Sequence, residues 1–308
     1  MKLAAVDLGS NSLRLVVARY NRGEMKVVHR ELKETRLGQC LQPGGKLLPH
    51  VVERNLKALK ELYDFLMQLN VSLYCAFGTS AIREAEDGQL FLDRIEQEVG
   101  FPTLLLSSKE EAFLGLLSTN LVFPGEGREV VVLDAGGRST EISWQQGKNF
   151  CFRSLPVGAV RLQEVIIKND PPAKEDLTRL DKYLKLNLQP LPRFFCSPHE
   201  RFLVGIGGTI TTLAAIHLQL AEYIPSRVHG RTLTTEDLEK IIHFLHDKPL
   251  KEREKIPGLP PKRADVIIPG AIAFLRCMEH MGFTRLVVNQ GGFLPAALHL
   301  LAGPFPRA

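Results

Sequence analysis

Short apolar runs that end in small and polar residues recur along the chain. Residues 3–6 are apolar and lead into Asp7-Leu8-Gly9-Ser10-Asn11-Ser12, after which a second apolar run begins. Residues 130–133 lead in the same way into Asp134-Ala135-Gly136-Gly137-Arg138-Ser139-Thr140 and a second returning run. Both patterns predict a β-hairpin whose turn begins with an acid and continues with hydroxyls. The repetition suggests an old duplication, with one hairpin in each domain.

Two further apolar runs end in glycines and continue with helical spacing. One leads into Gly207-Gly208-Thr209, and the other leads into Asn289-Gln290-Gly291-Gly292. A strand that enters a helix through glycines directs backbone N–H groups and the helix N-terminus at one point. These junctions are therefore suited to binding an anion.

Helical periodicity lies between these turns. Residues 51–69 and 89–99 place apolar side chains three and four positions apart, which is typical of amphipathic helices. Strand-like runs at 71–77 and 103–106 alternate with them. The alternation predicts an α/β fold in which helices cover the sheets.

A break in this pattern occurs at Phe123-Pro124-Gly125-Glu126-Gly127. The length of 308 residues is also typical of two domains rather than one. We therefore predict one domain over residues 1–123 and a second over residues 124–308.

The composition narrows the classes of protein. A hydrophobic content of 44% is ordinary for a globular chain, and a net charge of +5 permits an anionic ligand without the dense basic blocks of a nucleic-acid binder. Five scattered cysteines without a C-x-x-C pair disfavour a zinc site or a disulfide framework and favour a reducing compartment. No run of about 20 apolar residues is present, and Asp7 comes too early for a signal peptide. We expect a soluble cytoplasmic protein with no nucleic-acid or membrane partner.

Several common enzyme motifs are missing from the sequence. It contains no G-x-x-x-x-G-K-[ST] loop, no G-x-G-x-x-G fingerprint, no G-x-S-x-G elbow and no H-E-x-x-H pair. A P-loop nucleotidase, a Rossmann dehydrogenase, an α/β-hydrolase and a catalytic zinc site are therefore disfavoured.

The acids that begin the two hairpin turns allow two interpretations. Asp7 and Asp134 can supply carboxylate oxygens to a hard cation such as Mg²⁺, while the hydroxyls of Ser10, Ser12, Ser139 and Thr140 hold phosphate. Alternatively, each acid only stabilises its own turn, as Asp before Gly commonly does. Two copies at equivalent positions favour the functional reading.

Other charged residues also have two readings. Glu110 and Glu111 follow Ser107-Ser108 and either cap a helix or supply a general base for water near a phosphoryl group. Glu141 either holds water or metal or is an exposed strand residue. Arg83 and Arg263 either contact phosphate or form structural ion pairs.

A set of ordered motifs resembles the exopolyphosphatase/guanosine pentaphosphate phosphohydrolase family, within the actin-like, sugar-kinase and chaperone ATPase superfamily. The motifs span the chain from Asp7 to about Gly292. They are Asp7–Ser12, Gly78-Thr79-Ser80-Ala81-Ile82-Arg83, Glu110-Glu111-Ala112, Asp134–Glu141, Gly207-Gly208-Thr209 and Arg263-Ala264-Asp265-Val266-Ile267-Ile268-Pro269-Gly270. The resemblance implies two actin-like, ribonuclease H-like domains, each a mixed sheet flanked by helices, with an interdomain cleft.

The same resemblance implies roles for individual residues. It makes Glu111 the catalytic base, gives Glu141 a part in catalysis and makes Asp7 and Asp134 the metal ligands. The implied phosphate-binding residues are Ser10, Asn11, Ser12, Arg83, Gly136, Gly137, Arg138, Ser139, Thr140, Gly207, Gly208, Thr209 and Arg263.

Two departures from the family pattern stand out. Arg138 replaces the third glycine of a D-x-G-G-G-S-T-E turn, where it either adds a phosphate ligand or crowds a backbone that needs a positive φ. The last turn lacks the acid, the arginine and the glutamate of D-x-G-x-R-E-G and reads Asn289-Gln290-Gly291-Gly292-Phe293-Leu294-Pro295.

The sequence therefore predicts an exopolyphosphatase that uses Mg²⁺, with Mn²⁺ as the alternative metal, to release orthophosphate from the end of inorganic polyphosphate. The nearest alternative substrate is guanosine pentaphosphate, which also ends in a phosphoanhydride. A kinase of the same superfamily fits the Glu110-Glu111 segment less well, and the altered last turn keeps open a non-catalytic sensor of polyphosphate or an alarmone. A homodimer is compatible with the short two-domain form.

Overall fold

The first sheet contains five strands. They are β1 (Lys2–Leu8), β2 (Leu13–Asn21), β3 (Glu24–Lys33), β4 (Leu73–Gly78) and β5 (Thr103–Leu105). Their order across the sheet is β3-β2-β1-β4-β5, in which the first three strands pair antiparallel and β1, β4 and β5 run parallel. The predicted first hairpin is thus formed by β1 and β2.

The second sheet repeats this order and adds one strand. Its members are β6 (Glu129–Ala135), β7 (Thr140–Gln146), β8 (Asn149–Leu155), β9 (Arg201–Ile206), β10 (Thr232–Thr234) and β11 (Arg285–Asn289). Antiparallel β8, β7 and β6 are followed by parallel β9 and β11, and β10 closes the edge antiparallel to β11. The predicted fold class is confirmed: the chain contains two mixed sheets of ribonuclease H-like order, with helices packed on them.

Twelve α-helices lie in the described part of the chain. They are α1 (Pro49–Gln68), α2 (Ser80–Glu84), α3 (Gly88–Arg94), α4 (Ser108–Val122), α5 (Ala159–Val165), α6 (Lys174–Asn187), α7 (Gly208–His217), α8 (Pro225–Val228), α9 (Thr235–His246), α10 (Leu250–Arg253), α11 (Ile267–Met281) and α12 (Leu294–Ala302). A π-helical segment, Ile95–Val99, extends α3, and a 3₁₀ turn, Pro261–Arg263, precedes α11. The predicted helices at 51–69 and 89–99 correspond to α1 and to α3 with its π-helical extension.

Each sheet is packed against its own helices. Leu59 and Leu66 of α1 lie in one buried cluster with Val6 and Leu15 of the first sheet. Phe274 of α11 lies in a separate cluster with strand residues of the second sheet. Fully burying one such side chain contributes roughly 1.5–3 kcal/mol, so the amphipathic spacing of the helices is a main determinant of both cores.

The computed structural model describes residues 1–123, 129–194 and 201–303. The chain forms two compact units, the first being Met1–Leu114 with Phe293–Ala308 and the second being Gly115–Gly292. The division falls inside α4, and the predicted boundary at residues 124–127 lies outside the described residues. The Pro-Gly composition there follows the end of a helix, while α12 returns to the first unit because it packs on β1 and β2. None of the described helices is both long and apolar enough to cross a membrane.

Candidate functional site

The two hairpin turns have the same backbone arrangement. The Gly9 N–H donates to the Ser12 carbonyl at 3.2 Å, and the Gly136 N–H donates to the Ser139 carbonyl at 2.9 Å. In each hairpin the acid that opens the motif stands two residues before this glycine. The strand register makes Asp7 equivalent to Asp134, and the residues opposite them, Arg14 and Glu141, are equivalent to each other.

The first turn is held by neighbouring segments of its own unit. The hydroxyls of Ser10 and Ser80 are 3.0 Å apart, and Thr79 Oγ1 donates to the Leu8 carbonyl at 3.2 Å. The Asn11 carbonyl accepts from the Arg36 N–H at 2.9 Å. These bonds place the backbone of the predicted residues Ser10, Asn11 and Ser12 in one defined loop.

Asp7 is neutralised by a residue that the sequence analysis did not single out. Asp7 Oδ2 lies 2.9 Å from Arg14 Nη2, and Asp7 is 2% exposed. Asp7 Oδ1 is buried without a hydrogen-bond partner. Burial raises the pKa of Asp7, and the Arg14 charge and hydrogen bond oppose that rise. The register of the predicted hairpin identifies Arg14 as the partner of Asp7. Strand β2 returns along β1 and places Arg14 directly opposite the acid.

The adjacent glutamates at the start of α4 have different roles. Glu110 Oε2 accepts from the Ser107 N–H at 2.8 Å and from the Ser107 hydroxyl at 2.7 Å, and the Glu110 N–H donates back to Ser107 Oγ. This is a capping box, and hydrogen bonds from the Ser107 hydroxyl and N–H hold the pKa of Glu110 below its usual value. Glu110 therefore caps the helix, which is one of the two roles that the sequence predicts for this pair of glutamates.

Glu111 faces a different partner. Arg83 Nη1 donates to Glu111 Oε2 at 3.0 Å and to the Leu106 carbonyl at 2.7 Å. The Glu111 side chain is mostly buried, with 11% of its surface exposed. Arg83 thus forms an ion pair, which is one of the two roles that the sequence predicts for it. This pair fixes the position of Glu111, the predicted base.

In the second hairpin, two acids lie opposite each other. Asp134 of β6 and Glu141 of β7 are directly paired in the antiparallel register, so their side chains lie on the same face of the sheet. Glu141 is 3% exposed, and its Oε1 accepts from the Ser154 hydroxyl at 2.9 Å. Two carboxylates on one face of the sheet supply the kind of oxygen ligands that a hard cation prefers.

The glycine turn before α7 lies close to Asp134. A Cβ on Gly207 would come within 2.6 Å of Asp134 Oδ1, and Gly207 has a φ of +94°. A Cβ on Gly208 would come within 2.2 Å of Arg263 Nη1. The second unit therefore brings Asp134, the N-terminus of α7 and the Arg263 guanidinium together. Anion binding at this junction stays a prediction. Thr209 Oγ1 lies 3.4 Å from the Ala135 carbonyl, at the same turn.

Arg138 of the second turn is buried in the second unit. Its side chain is 1% exposed and Nη1 lies 3.6 Å from Glu164 Oε2, inside the second unit. Arg138 is not among the residues with positive φ, and its backbone packs against Gly158, where a Cβ would come within 2.4 Å of it. Its backbone is thus not a strained replacement for glycine, and its guanidinium lies near Glu164. Its role in phosphate binding stays a prediction.

The neighbouring residues of the second turn divide in a similar way. Thr140 is fully buried and its hydroxyl donates to the Val157 carbonyl, so that hydroxyl proton is not directed at a ligand. The Gly136 and Gly137 carbonyls accept from N–H groups of α5. Ser139 is 7% exposed. The turn is therefore anchored on one side by Thr140 and α5.

The altered last turn is a structural element. Asn289 is fully buried, and its Oδ1 accepts from the Gly291 N–H at 2.9 Å. Asn289 Nδ2 is 3.4 Å from Thr119 Oγ1. The amide thus satisfies polar groups in the position where the family pattern has an acid.

The repetition of one sheet order and one acid-led turn defines the actin-like class. Within that class, an acidic pair beside a helix N-terminus and a glutamate held by arginine fit phosphoanhydride hydrolysis. A model of the Ppx/GppA phosphatase family matches residues 16–293, and the chain belongs to this family. The resemblance inferred from the motifs is confirmed.

Individual relatives agree with this assignment. Exopolyphosphatase 2 of Mycobacterium tuberculosis is 30% identical over 98% of this chain and 99% of its own length. The crystal structure of an Aquifex aeolicus member of the Ppx/GppA family has a TM-score of 0.80 at 32% identity, covering 97% of this chain and 96% of that chain. An exopolyphosphatase from Cytophaga hutchinsonii has a TM-score of 0.89 at 22% identity, covering 98% of each chain, and supports the fold.

Proposed function

We propose that this chain is an exopolyphosphatase that hydrolyses the terminal phosphoanhydride of inorganic polyphosphate and releases orthophosphate. Membership of the Ppx/GppA phosphatase family and full-length similarity to an exopolyphosphatase support the reaction class. The observation that carries the proposal is the cluster in the second unit. There, two opposed carboxylates lie beside the α7 N-terminus and Arg263.

The reaction in this family depends on a metal, and we propose Mg²⁺, with Mn²⁺ as the alternative. No group of three or more His, Cys, Asp or Glu side chains suited to a metal occurs in residues 1–123, 129–194 and 201–303. Asp134 and Glu141 nevertheless fit a hard cation, because substrate phosphate and water can complete its oxygen ligands. Such a cation, when bound, neutralises phosphate charge in the transition state.

The proposed roles of the side chains follow from their environments. N–H groups at the Gly207-Gly208 turn and the Arg263 guanidinium bind phosphate oxygens, since a helix N-terminus and a planar cation both favour an anion. Ser139 of the second turn also contributes to phosphate binding. The polar groups of the first turn, Ser10, Asn11 and Ser12, bind phosphate while Arg14 balances the charge of Asp7.

Glu111 is the proposed general base. Arg83 Nη1 lies 3.0 Å from Glu111 Oε2, which limits rotation of the carboxylate and orients it as the acceptor of a proton from the attacking water. Positioning and charge neutralisation supply most of the rate in phosphoryl transfer to water, so a fixed base is sufficient.

The test is phosphate release from long-chain polyphosphate in Mg²⁺ by the wild type, Glu111→Gln and Glu110→Gln. Adjacent identical side chains on one helix make a matched pair, since Glu110 only caps α4. We expect Glu111→Gln to lower kcat by at least about 100-fold without loss of polyphosphate binding. Glu110→Gln is expected to retain kcat within about twofold and to lower only the stability of the helix start.

Three outcomes would replace the proposal. Equal losses in both variants would remove Glu111 from the role of base. Phosphate release from guanosine pentaphosphate alone would make that nucleotide the substrate, which the family also covers. Tight polyphosphate binding without release in any divalent metal would favour a sensor.

Two parts of the proposal concern the state of the protein in the cell. Cys40, Cys75, Cys151 and Cys277 are free thiols, and Cys196 lies outside the described residues. Free thiols are typical of a reducing compartment, which supports a cytoplasmic location. The homodimer stays a prediction, and light scattering on the purified protein would check it.

A further inference from the structure

The second unit contains a cavity of about 620 Å³ that the proposed reaction does not use. Its walls come from the C-terminal end of α7, one face of α9 and the loop that contains Ile256 and Pro257. The phosphate cluster lies at the other end of α7, at Gly208. A helix of 10 residues is about 15 Å long, so the cavity is a separate feature of this unit.

The floor of the cavity is apolar and is part of the core of the second unit. Ile216 and Ile241 are buried, and Ile256 packs against the same core. Gly258, at a φ of +84°, allows the loop to approach α7 closely, since a Cβ there would come within 2.4 Å of Ala215 backbone atoms. The cavity is therefore formed by packed elements.

Polar groups line one side of the cavity. Both oxygens of the Asp237 carboxylate have partners. Oδ2 accepts from the Thr234 N–H at 3.0 Å, and Oδ1 lies 3.7 Å from His217 Nδ1. His217 Nε2 lies 3.1 Å from Arg231 Nη2. Despite burial, hydrogen bonds from Thr234 and the charges of His217 and Lys240 hold the pKa of Asp237 below its usual value. Lys240 is thus a cation that lines the cavity and shares Asp237 with Thr234 and His217.

An aromatic ring lies one helical turn further along α9. Lys240 and Phe244 are four residues apart and therefore lie on the same face of the helix. Phe244 is 47% exposed and borders the cavity, and Lys248 Nζ lies over its ring at 4.2 Å from the centroid. An apolar floor, an exposed ring and a cation together match a ligand that has a flat ring and an anionic group.

We propose that this cavity, the α7–α9 pocket, binds a small planar organic anion of the size and chemistry of a nucleoside monophosphate. The ring packs against Phe244 and the isoleucines of the floor, and the phosphate pairs with Lys240. His217, held between Arg231 and Asp237, presents a fixed edge to the bound ring.

The test is calorimetric titration of the full-length protein with adenosine 5′-monophosphate in saturating inorganic phosphate. This probe has no phosphoanhydride bond and cannot be a substrate, and the phosphate occupies any site that binds phosphate alone. Phe244→Ala and Lys240→Glu change the pocket, while Leu186→Ala and Lys182→Glu make the same types of change on exposed positions of α6. Circular dichroism checks that each variant is folded.

We expect saturable binding by the wild type and by both α6 controls. Each pocket variant should bind about tenfold more weakly, since stacking and a charge-assisted contact are each worth a factor of this size. Absence of binding at millimolar probe in saturating inorganic phosphate, or equal affinity in the wild type and the pocket variants, would overturn the proposal. These readouts do not involve hydrolysis, so they are independent of the proposed function.

Discussion

The first hairpin and the second hairpin share a backbone turn but differ in the residue opposite the leading acid. In the first, Asp7 lies opposite Arg14 and is paired with it at 2.9 Å. In the second, Asp134 lies opposite Glu141. The same fold position therefore has a carboxylate opposite an arginine in one unit and a carboxylate opposite a second carboxylate in the other.

This difference suits the two copies of the motif to different roles. A buried carboxylate whose charge is balanced by an arginine attracts a nearby cation only weakly. It still helps to hold a loop in place. Two acids on one face of a hairpin together offer the carboxylate oxygens that a hard cation prefers. We therefore propose the second hairpin as the metal-binding turn and the first as a phosphate-binding turn.

The largest expected effect distinguishes the two acids directly. Asp134→Asn should raise the Mg²⁺ concentration for half-maximal activity by at least about tenfold and lower kcat, as for loss of a metal-binding residue. Asp7→Asn should leave the Mg²⁺ requirement unchanged, because that carboxylate is paired with Arg14. Mg²⁺ titrations of phosphate release measure both.

Glu141→Gln serves as the second variant at the metal turn and should shift the Mg²⁺ requirement in the same direction as Asp134→Asn. If Asp7→Asn raised the requirement as much as Asp134→Asn, the two hairpins would act alike and the comparison would fail.

The next effect is on stability and concerns the arginine of the first hairpin. Arg14→Met leaves Asp7 as a buried carboxylate without its cation, which should lower the free energy of unfolding by about 3 kcal/mol near pH 8. Burial already raises the pKa of Asp7, so the folded chain binds that proton more tightly than the unfolded chain. Stability linked to this group is therefore present at low pH and falls as pH rises through the folded-state pKa.

Removing Arg14 raises the pKa of Asp7 further, so the deficit of Arg14→Met should be smaller near pH 5 than near pH 8. Urea unfolding at the two pH values measures this difference. The double variant Asp7→Asn with Arg14→Met should recover much of the loss. A deficit that did not change with pH would show that Asp7 is not the group responsible.

The smallest expected effect concerns two arginines of the second unit. Arg263→Met should raise the KM for polyphosphate by about tenfold through loss of a charge-assisted phosphate contact. Arg138→Met should leave KM within about twofold and lower the free energy of unfolding by about 1–2 kcal/mol, because Arg138 is directed to Glu164. A large KM increase in Arg138→Met would instead make Arg138 a phosphate ligand.

Much of the fold and part of the candidate site follow from local sequence patterns. The hairpins and α1 are predictable because their apolar periods of two and between three and four are local properties. The glycines of the second turn and of the α7 junction are likewise recognisable, since they precede or follow apolar strands. The edge strand β3 is harder to predict, because it has alternating intermediate and exposed residues and no fully buried face.

The separate roles of Glu110 and Glu111 needed the structure. Both acids follow the same serines, and either could have capped the helix. The first reaches back to Ser107, whereas the second meets Arg83, which comes from a helix 28 positions earlier in the chain. Such a contact depends on how β4, α2 and α4 are arranged, which no local pattern contains.

The chain's local patterns are enough to establish its α/β class, its repeated acid-led turns and its membership of a phosphatase family, because each depends on residues near one another in sequence. The register of each local hairpin places Arg14 opposite Asp7 and Glu141 opposite Asp134. Only tertiary packing brings Arg138 to Glu164, Arg83 to Glu111 and Arg263 to Gly208. Charges act through space, so the groups that surround each turn depend on which helix or loop packs beside it in the folded chain.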